Sequence, residues 1–205
     1  MPNFPYLSSR IHSAEDLSYY SKIYQSLSKS EMTMSFLENC RVYGVRLRRS
    51  GKLIGGFVIN NQLHSNRHVA LLPEHIREKF IAECGDDLFE LTGLWIDPSA
   101  KSSVLSAYFW LKILDAVRRE PKKFMIGGAT EAGLKRKYGV LRPRKLSEGY
   151  VDCHGDHGVW TCFVTGKTKA LLSICLVIAM ALVKGATRRL RALAGFKKLP
   201  IAPKT

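Results

Sequence analysis

The apolar run Leu88–Ile96, LFELTGLWI, carries one charged residue, Glu90. An unpaired carboxylate in such surroundings is costly, so Glu90 must face a cleft, a cation or water. In a cleft it can deprotonate an attacking amine, directly or through a water, and a raised pKa lets it do so near neutrality. At a strand edge it would instead pair with a neighbouring Arg or Lys. Thr92 lies two residues on, on the same strand face, where it can position a substrate; a β-branched residue also simply suits a strand. Asp97-Pro98 stops the run, and Ser99 to Ser103 then supply caps and exposed amides for a following helix, with Lys101 among them. A helix N-terminus attracts phosphate.

Other reactive side chains are scattered. Cys153, His154, Asp156, His157 and Cys162 are metal-ligand types, but they crowd into one turn with no zinc spacing, and Gly155 and Gly158 already account for that turn. No metal is expected. The five cysteines form no CxxC, and the start MPNFPYLSSR has no apolar h-region, so free thiols in a reducing, cytoplasmic compartment are expected.

These residues need a scaffold, and the pattern supplies one. Leu7 to Ile11 reads as a strand, and Ser13 with Asp16 starts a helix in which Leu17, Tyr20, Ile23, Tyr24 and Leu27 recur at helical spacing. Arg41–Arg49 and Leu53–Ile59 form a hairpin about Ser50-Gly51, Gln62–Arg67 is a polar loop, and Pro73 to Gly85 bounds a short helix. The strand bearing Glu90 leads into a long helix that ends at Glu120-Pro121. Phe124–Ile126 is a buried strand, Thr130 caps a basic helix through Tyr138, and Tyr150–Cys153 pairs with Val159–Val164 in a closing hairpin. The fold class is mixed α/β, a central sheet flanked by helices.

Over Leu7 to Val164 this succession resembles the GNAT superfamily of acyltransferases. Glu90-Leu91-Thr92 and the segment TEAGLKRKYGVLRPRKLSEG are similar to the equivalent parts of acyl-homoserine-lactone synthases, a GNAT-like branch using acylated carrier protein. That branch has Arg where this chain has Gly93. The resemblance implies transfer of an acyl group from an acyl-CoA or acyl-carrier-protein thioester to an amine acceptor, by direct attack in a ternary complex. It implies that backbone around Leu94, Trp95 and Ile96 holds the donor arm. The pyrophosphate loop falls on Lys101-Ser102-Ser103-Val104-Leu105-Ser106, in which Lys101 keeps a positive charge, Ser106 is small, and Val104 stands where the family has Gly. The family's acid Tyr falls on Lys135, with Tyr138 nearby on another side of the helix. The alternative is a catalytically degenerate GNAT-like module that binds membranes or acidic partners.

At 205 residues, 46% apolar and 24% charged, the chain suits one globular domain over 1–164 and a tail over 165–205. The tail carries nine Lys or Arg and no acid, so of the net +15 only +6 (23 basic against 17 acidic) belongs to the rest. Ala170–Val183 has no charge on any helical face, and at ~1.5 Å per residue its helix is shorter than a ~30 Å bilayer core. Arg188, Arg189 and Arg191 then alternate with Leu190 and Leu193, which suits an anionic membrane surface at the cytoplasmic side; a helix packed on the domain or at a dimer interface is the other reading. Basic residues at Arg46–Lys52 and Lys135–Lys145 suit an acidic carrier protein or phosphates. With no aromatic stacking pattern, nucleic acid is not an expected partner.

Overall fold

A computed structural model of the chain describes residues 5–28, 31–130, 143–151 and 158–195. The strands are β1 (Tyr6–Ile11), β2 (Arg41–Leu47), β3 (Leu53–Asn60), β4 (Leu88–Ile96), β5 (Phe124–Thr130), β6 (Arg144–Val151) and β7 (Gly158–Gly166). Among the described residues they form one seven-stranded sheet in the order β1-β2-β3-β4-β5-β7-β6. Neighbours are antiparallel except β4 and β5, which are parallel. A parallel pair needs a crossover, and helix α5 (Ser103–Arg119) provides it.

Helices cover both faces, so the central strands are largely buried on both sides. In β3, LIGGFVIN, every residue is buried, and the sequence shows a continuous apolar run where a half-exposed strand would alternate. On one face α1 (Ala14–Ser28) and α2 (Met34–Glu38) cover Ile11, Val42, Val58 and Trp95. Beside them, α3 (Arg67–Ala70) and α4 (Glu74–Cys84) cover Leu88, Ile126 and Cys162. On the other face α5 packs Leu105, Phe109, Ile113 and Val117 over Phe57, Phe89 and Leu91. Ser102 caps α5 by accepting from the Leu105 amide at 3.0 Å. Pro121 ends it by pushing Glu120 into an extended conformation, ψ 126°.

Several elements go beyond what the residue pattern predicts. Helix α2 has no periodic signal; Thr33 caps it by accepting from the Phe36 amide at 3.3 Å. The polar loop holds a 3-10 turn, Leu63–Ser65, and then α3, because Asn66 accepts from the Val69 amide at 3.0 Å. Strand β6 starts at Arg144 rather than Tyr150, since its pairing with β7 extends back to Arg144↔Val164. The expected basic helix through Tyr138 and the turn at His154–His157 lie outside the described residues.

The C-terminal segment forms one helix, α6 (Lys167–Gly195), which passes Lys184-Gly185 without a break. It runs antiparallel along α5. The Lys167 amide donates to Lys123 O at 2.7 Å near the end of α5, and a Cβ on Gly185 would sit 2.5 Å from Ser103 Oγ at its start. Ala170 and Ile174 are 1% and 5% exposed and join the main core, so domain and tail share an apolar layer.

Candidate active site

Strands β4 and β5 pair only at Leu88↔Phe124, Phe89↔Met125 and Glu90↔Ile126, and then part. Beyond that point β4 continues beside β3, and β5 continues to Thr130 beside β7. Where they separate, the β4 edge from Leu91 to Ile96 has no strand partner on that side among the described residues. Such an edge can hydrogen-bond an extended chain laid along it. Glu90 stands at the apex of the opening.

A bulge sets the orientation of the rest of β4. Val58 faces Thr92 and Gly56 faces Trp95, so Phe57 opposes both Gly93 and Leu94. Gly93 has φ +63°, which favours glycine, and a Cβ there would lie 2.8 Å from Met32 Cε and 3.0 Å from Tyr20 Oη, so neighbouring side chains would have to shift. Tyr20 Oη donates to Gly93 O at 2.6 Å and pins the bulge. The bulge also reverses the alternation of side chains. Glu90 and Thr92 lie on the α3–α4 face with Leu88, whereas Leu94 and Ile96 turn to the α5 face. Trp95 goes beneath α1 with its ring 5.8 Å from that of Tyr20. For Trp95, only the backbone is placed to meet a donor.

The Glu90 side chain is fully buried. Its Oε2 accepts from Asn60 Nδ2 and from the Arg67 amide, each at 3.2 Å. Its Oε1 makes no hydrogen bond of ordinary geometry and lies 3.5 Å from His68 Nε2. Burial pushes the carboxyl up to about 7, against the hydrogen bonds from the Arg67 amide and Asn60, which favour the charged form. A carboxyl raised in this way changes its charge near neutrality. Asn60 is itself tied down: its Nδ2 donates to Ser65 O at 3.0 Å and its Oδ1 accepts from the Gln62 amide at 2.9 Å. Nothing in the residue pattern singles out Asn60 or His68. They come from the end of β3 and from α3, far from Glu90 in sequence, and only the fold joins them. Thr92 is nearly buried beside Val58.

At the start of α5, Lys101 is exposed, and Ser103, Val104 and Ser106 are half-buried. The Ser102 hydroxyl takes the Leu105 amide, and the Ser106 amide donates to Ser102 O at 2.9 Å. The amides of Ser103 and Val104 have no carbonyl a turn earlier within the helix, so they can meet an anion. Ser103 Oγ faces Gly185 of α6, which sets it apart from Lys101, Ser102 and Ser106.

The remaining candidates resolve differently. Burial, with the Glu90 charge added, pushes the Cys40 thiol up to about 12, so it is held as a thiol and not a nucleophilic thiolate. Cys84 and Cys162 are buried in the core, and Cys175 is exposed on α6. Of the basic clusters, Arg46 pairs with Asp16 at 2.6 Å, Lys52 with Asp97 at 3.1 Å, and Arg144 with Glu83 at 2.7 Å. Among the described residues no group of three metal-ligating side chains occurs. Lys135 and Tyr138 lie outside the described residues.

Compared with solved structures, the chain is similar to FeeM, an N-acyl amino acid synthase from uncultured soil microbes. The TM-score is 0.64 at 11% identity over 80% of this chain and 92% of that one. The fold is that of the GNAT acyltransferases. It is also similar to NAA60 of Arabidopsis thaliana in complex with acetyl-CoA (TM-score 0.55, 13% identity, 78% of this chain and 98% of that one). A third is the ribosomal-protein-S18-alanine N-acetyltransferase of Escherichia coli (TM-score 0.54, 11% identity, 78% and 93%). No family model and no curated protein matches the sequence. The similarity is one of fold, at 11–13% identity.

Proposed function

We propose that this protein is an N-acyltransferase that moves an acyl group from an acyl-CoA or acyl-carrier-protein thioester to an amine acceptor at the cytoplasmic face of a membrane. The observation that carries the reading is the buried carboxyl of Glu90 where β4 and β5 part, with Oε2 held by Asn60 and the Arg67 amide and Oε1 3.5 Å from His68 Nε2. The solved relatives named above, two N-acetyltransferases and an N-acyl amino acid synthase, support an amine acceptor and a thioester donor. The apolar, acid-free α6 supports the membrane location.

In this reading the donor arm lies along the open edge of β4 from Leu94 to Ile96. The amides of Ser103 and Val104, with Lys101, receive its phosphates. The acceptor amine attacks the thioester carbonyl and forms the new C–N bond. Glu90 takes the ammonium proton, directly or through a water, as the tetrahedral intermediate forms, and a β4 amide stabilises the oxyanion. Collapse breaks the C–S bond, and the leaving thiolate is protonated by Glu90 or by water. Asn60 and His68 position the carboxyl; Thr92 lines the same strand face. Cys40, held protonated, supports direct transfer over an acyl-cysteine intermediate.

The test is release of free thiol from acetyl-CoA, longer acyl-CoAs and acylated carrier protein when incubated with amino acids and other primary amines. Turnover by the wild type that falls about 10²-fold or more in Glu90→Gln, with donor binding retained, is the expected result. Donor binding without turnover by the wild type, across all these donors and acceptors, would favour a binding module instead.

A further inference from the structure

We propose that α6 docks this protein onto an anionic bilayer while remaining packed on α5, so that it lies in the plane of the leaflet and does not cross it. The inference rests on the membrane location proposed above and adds its geometry. By length and composition alone, Lys167–Leu190 is capable of crossing a membrane. What the helix touches decides otherwise.

One side of α6 is committed to the protein. Ala170, Ser173 and Ile174 are buried, Leu171 and Ile178 pack on the main core, and Gly185 meets Ser103. The Lys167 backbone is fastened to Lys123 O. Crossing a bilayer would lift this stripe away and expose the apolar side of α5 to water. The opposite side is apolar and open: Leu172, Val183 and Leu190 are 68%, 65% and 66% exposed, and Leu176 and Met180 are exposed beside them. At about 100° per residue, Leu172, Leu176, Val183 and Leu190 fall within about 40° of one another. Lys184 and Arg189 stand about 100–120° away on the two flanks, the headgroup level of a helix lying in an interface.

Charge identifies the occupant. From Lys167 to Gly195 there are six Lys or Arg and no acid. An anionic lipid surface offers the opposite sign along the whole helix. A second copy paired antiparallel through α6 would set Lys169 of one chain towards Lys184 and Arg189 of the other, like charge against like. Because Gly185 meets Ser103, the docked helix passes the start of α5 and continues to Gly195. The donor loop Lys101–Ser106 then stands about 8–10 Å, one interhelical spacing, above the lipid-facing helix.

The experiment is flotation of the full-length protein with vesicles of phosphatidylcholine containing about one-third phosphatidylserine, and with phosphatidylcholine alone. Binding to the anionic vesicles is expected, weaker on the neutral ones. The double variant Leu176→Glu/Val183→Glu, at exposed positions, should keep its thermal unfolding temperature and bind at least about tenfold more weakly. A tag added after Thr205 should stay cleavable by protease from outside the vesicles. Wild type that leaves anionic vesicles unbound, or dimerises through α6 without binding them, overturns the membrane location itself. Wild type that binds with its tag protected overturns only the in-plane geometry. Neither readout uses turnover, so failure of acyl transfer is scored separately.

Discussion

His68 Nε2 lies 3.5 Å from Glu90 Oε1, and both side chains are buried beneath α3. The pair joins a helix of four residues to the strand whose edge opens beside β5. It gives the carboxyl a neighbour that no spacing in the sequence suggests. Asn60 and the Arg67 amide hold the other oxygen, so Glu90 is fixed in place while Oε1 keeps its capacity to accept a proton.

Acyl transfer should rise with pH along a limb centred near 7, since the base acts only when ionised and burial pushes the Glu90 carboxyl up to about 7. Glu90→Gln should remove both the limb and most of the rate. A variant that keeps the wild-type profile of kcat/KM against pH excludes Glu90 as the base.

The same raised carboxyl sets a sign for stability. The folded pKa of Glu90 lies above its unfolded value, so its contribution is fully present below about 4.5 and is lost as pH rises through about 7, at about 1.4 kcal/mol for each pH unit between those values. Glu90→Gln should therefore gain stability relative to the wild type between about pH 5 and about pH 8. Denaturant melts at the two pH values measure it; a constant difference between the proteins contradicts the raised pKa.

His68→Asn should lower kcat by about tenfold, leave the KM for the donor near its wild-type value, and move the midpoint of the pH limb by at least about half a unit, because it changes the polar group 3.5 Å from Glu90 Oε1. A lower rate with an unmoved midpoint would make His68 a packing residue only.

Cys40→Ser should keep most of the activity, because a thiol held near 12 carries almost no thiolate at neutral pH. Mass spectrometry of wild type mixed with donor alone should find no acylated Cys40. An acyl adduct there would replace direct transfer by a covalent route.

Gly93→Ala should cost about 2–3 kcal/mol, from a positive φ and from contact with Met32 and Tyr20. Tyr20→Phe should cost about 1–3 kcal/mol, since it leaves the Gly93 carbonyl buried without its donor. Both should also weaken donor binding, because the bulge turns Leu94 and Ile96 to the α5 face. Chemical denaturation alongside donor titration separates the two effects.

Much of the architecture is legible in the chain because periodicity and punctuation are local. The helical spacing in α1, the Ser50-Gly51 turn, the cap at Ser102 and the stop at Pro121 each depend on a few neighbouring residues. Glu90 stands out for the same reason, as a charge in an apolar run. The short helices α2 and α3 escape such a reading because they have too few turns to show a period, and only their capping side chains, Thr33 and Asn66, signal them. The partners of Glu90 are not legible either, since Asn60 and His68 reach it through the pairing of β3 with β4 and the packing of α3. In sequence Gly93 is a departure from a family pattern; the register across β3 and the hydroxyl of Tyr20 make it the residue that aims the strand. For α6, composition determines an apolar helix with basic flanks. Whether it stands apart or lies along α5 is decided by contacts such as Gly185 with Ser103, because an apolar side chain fits a core and a bilayer equally well and only the surface it meets distinguishes them.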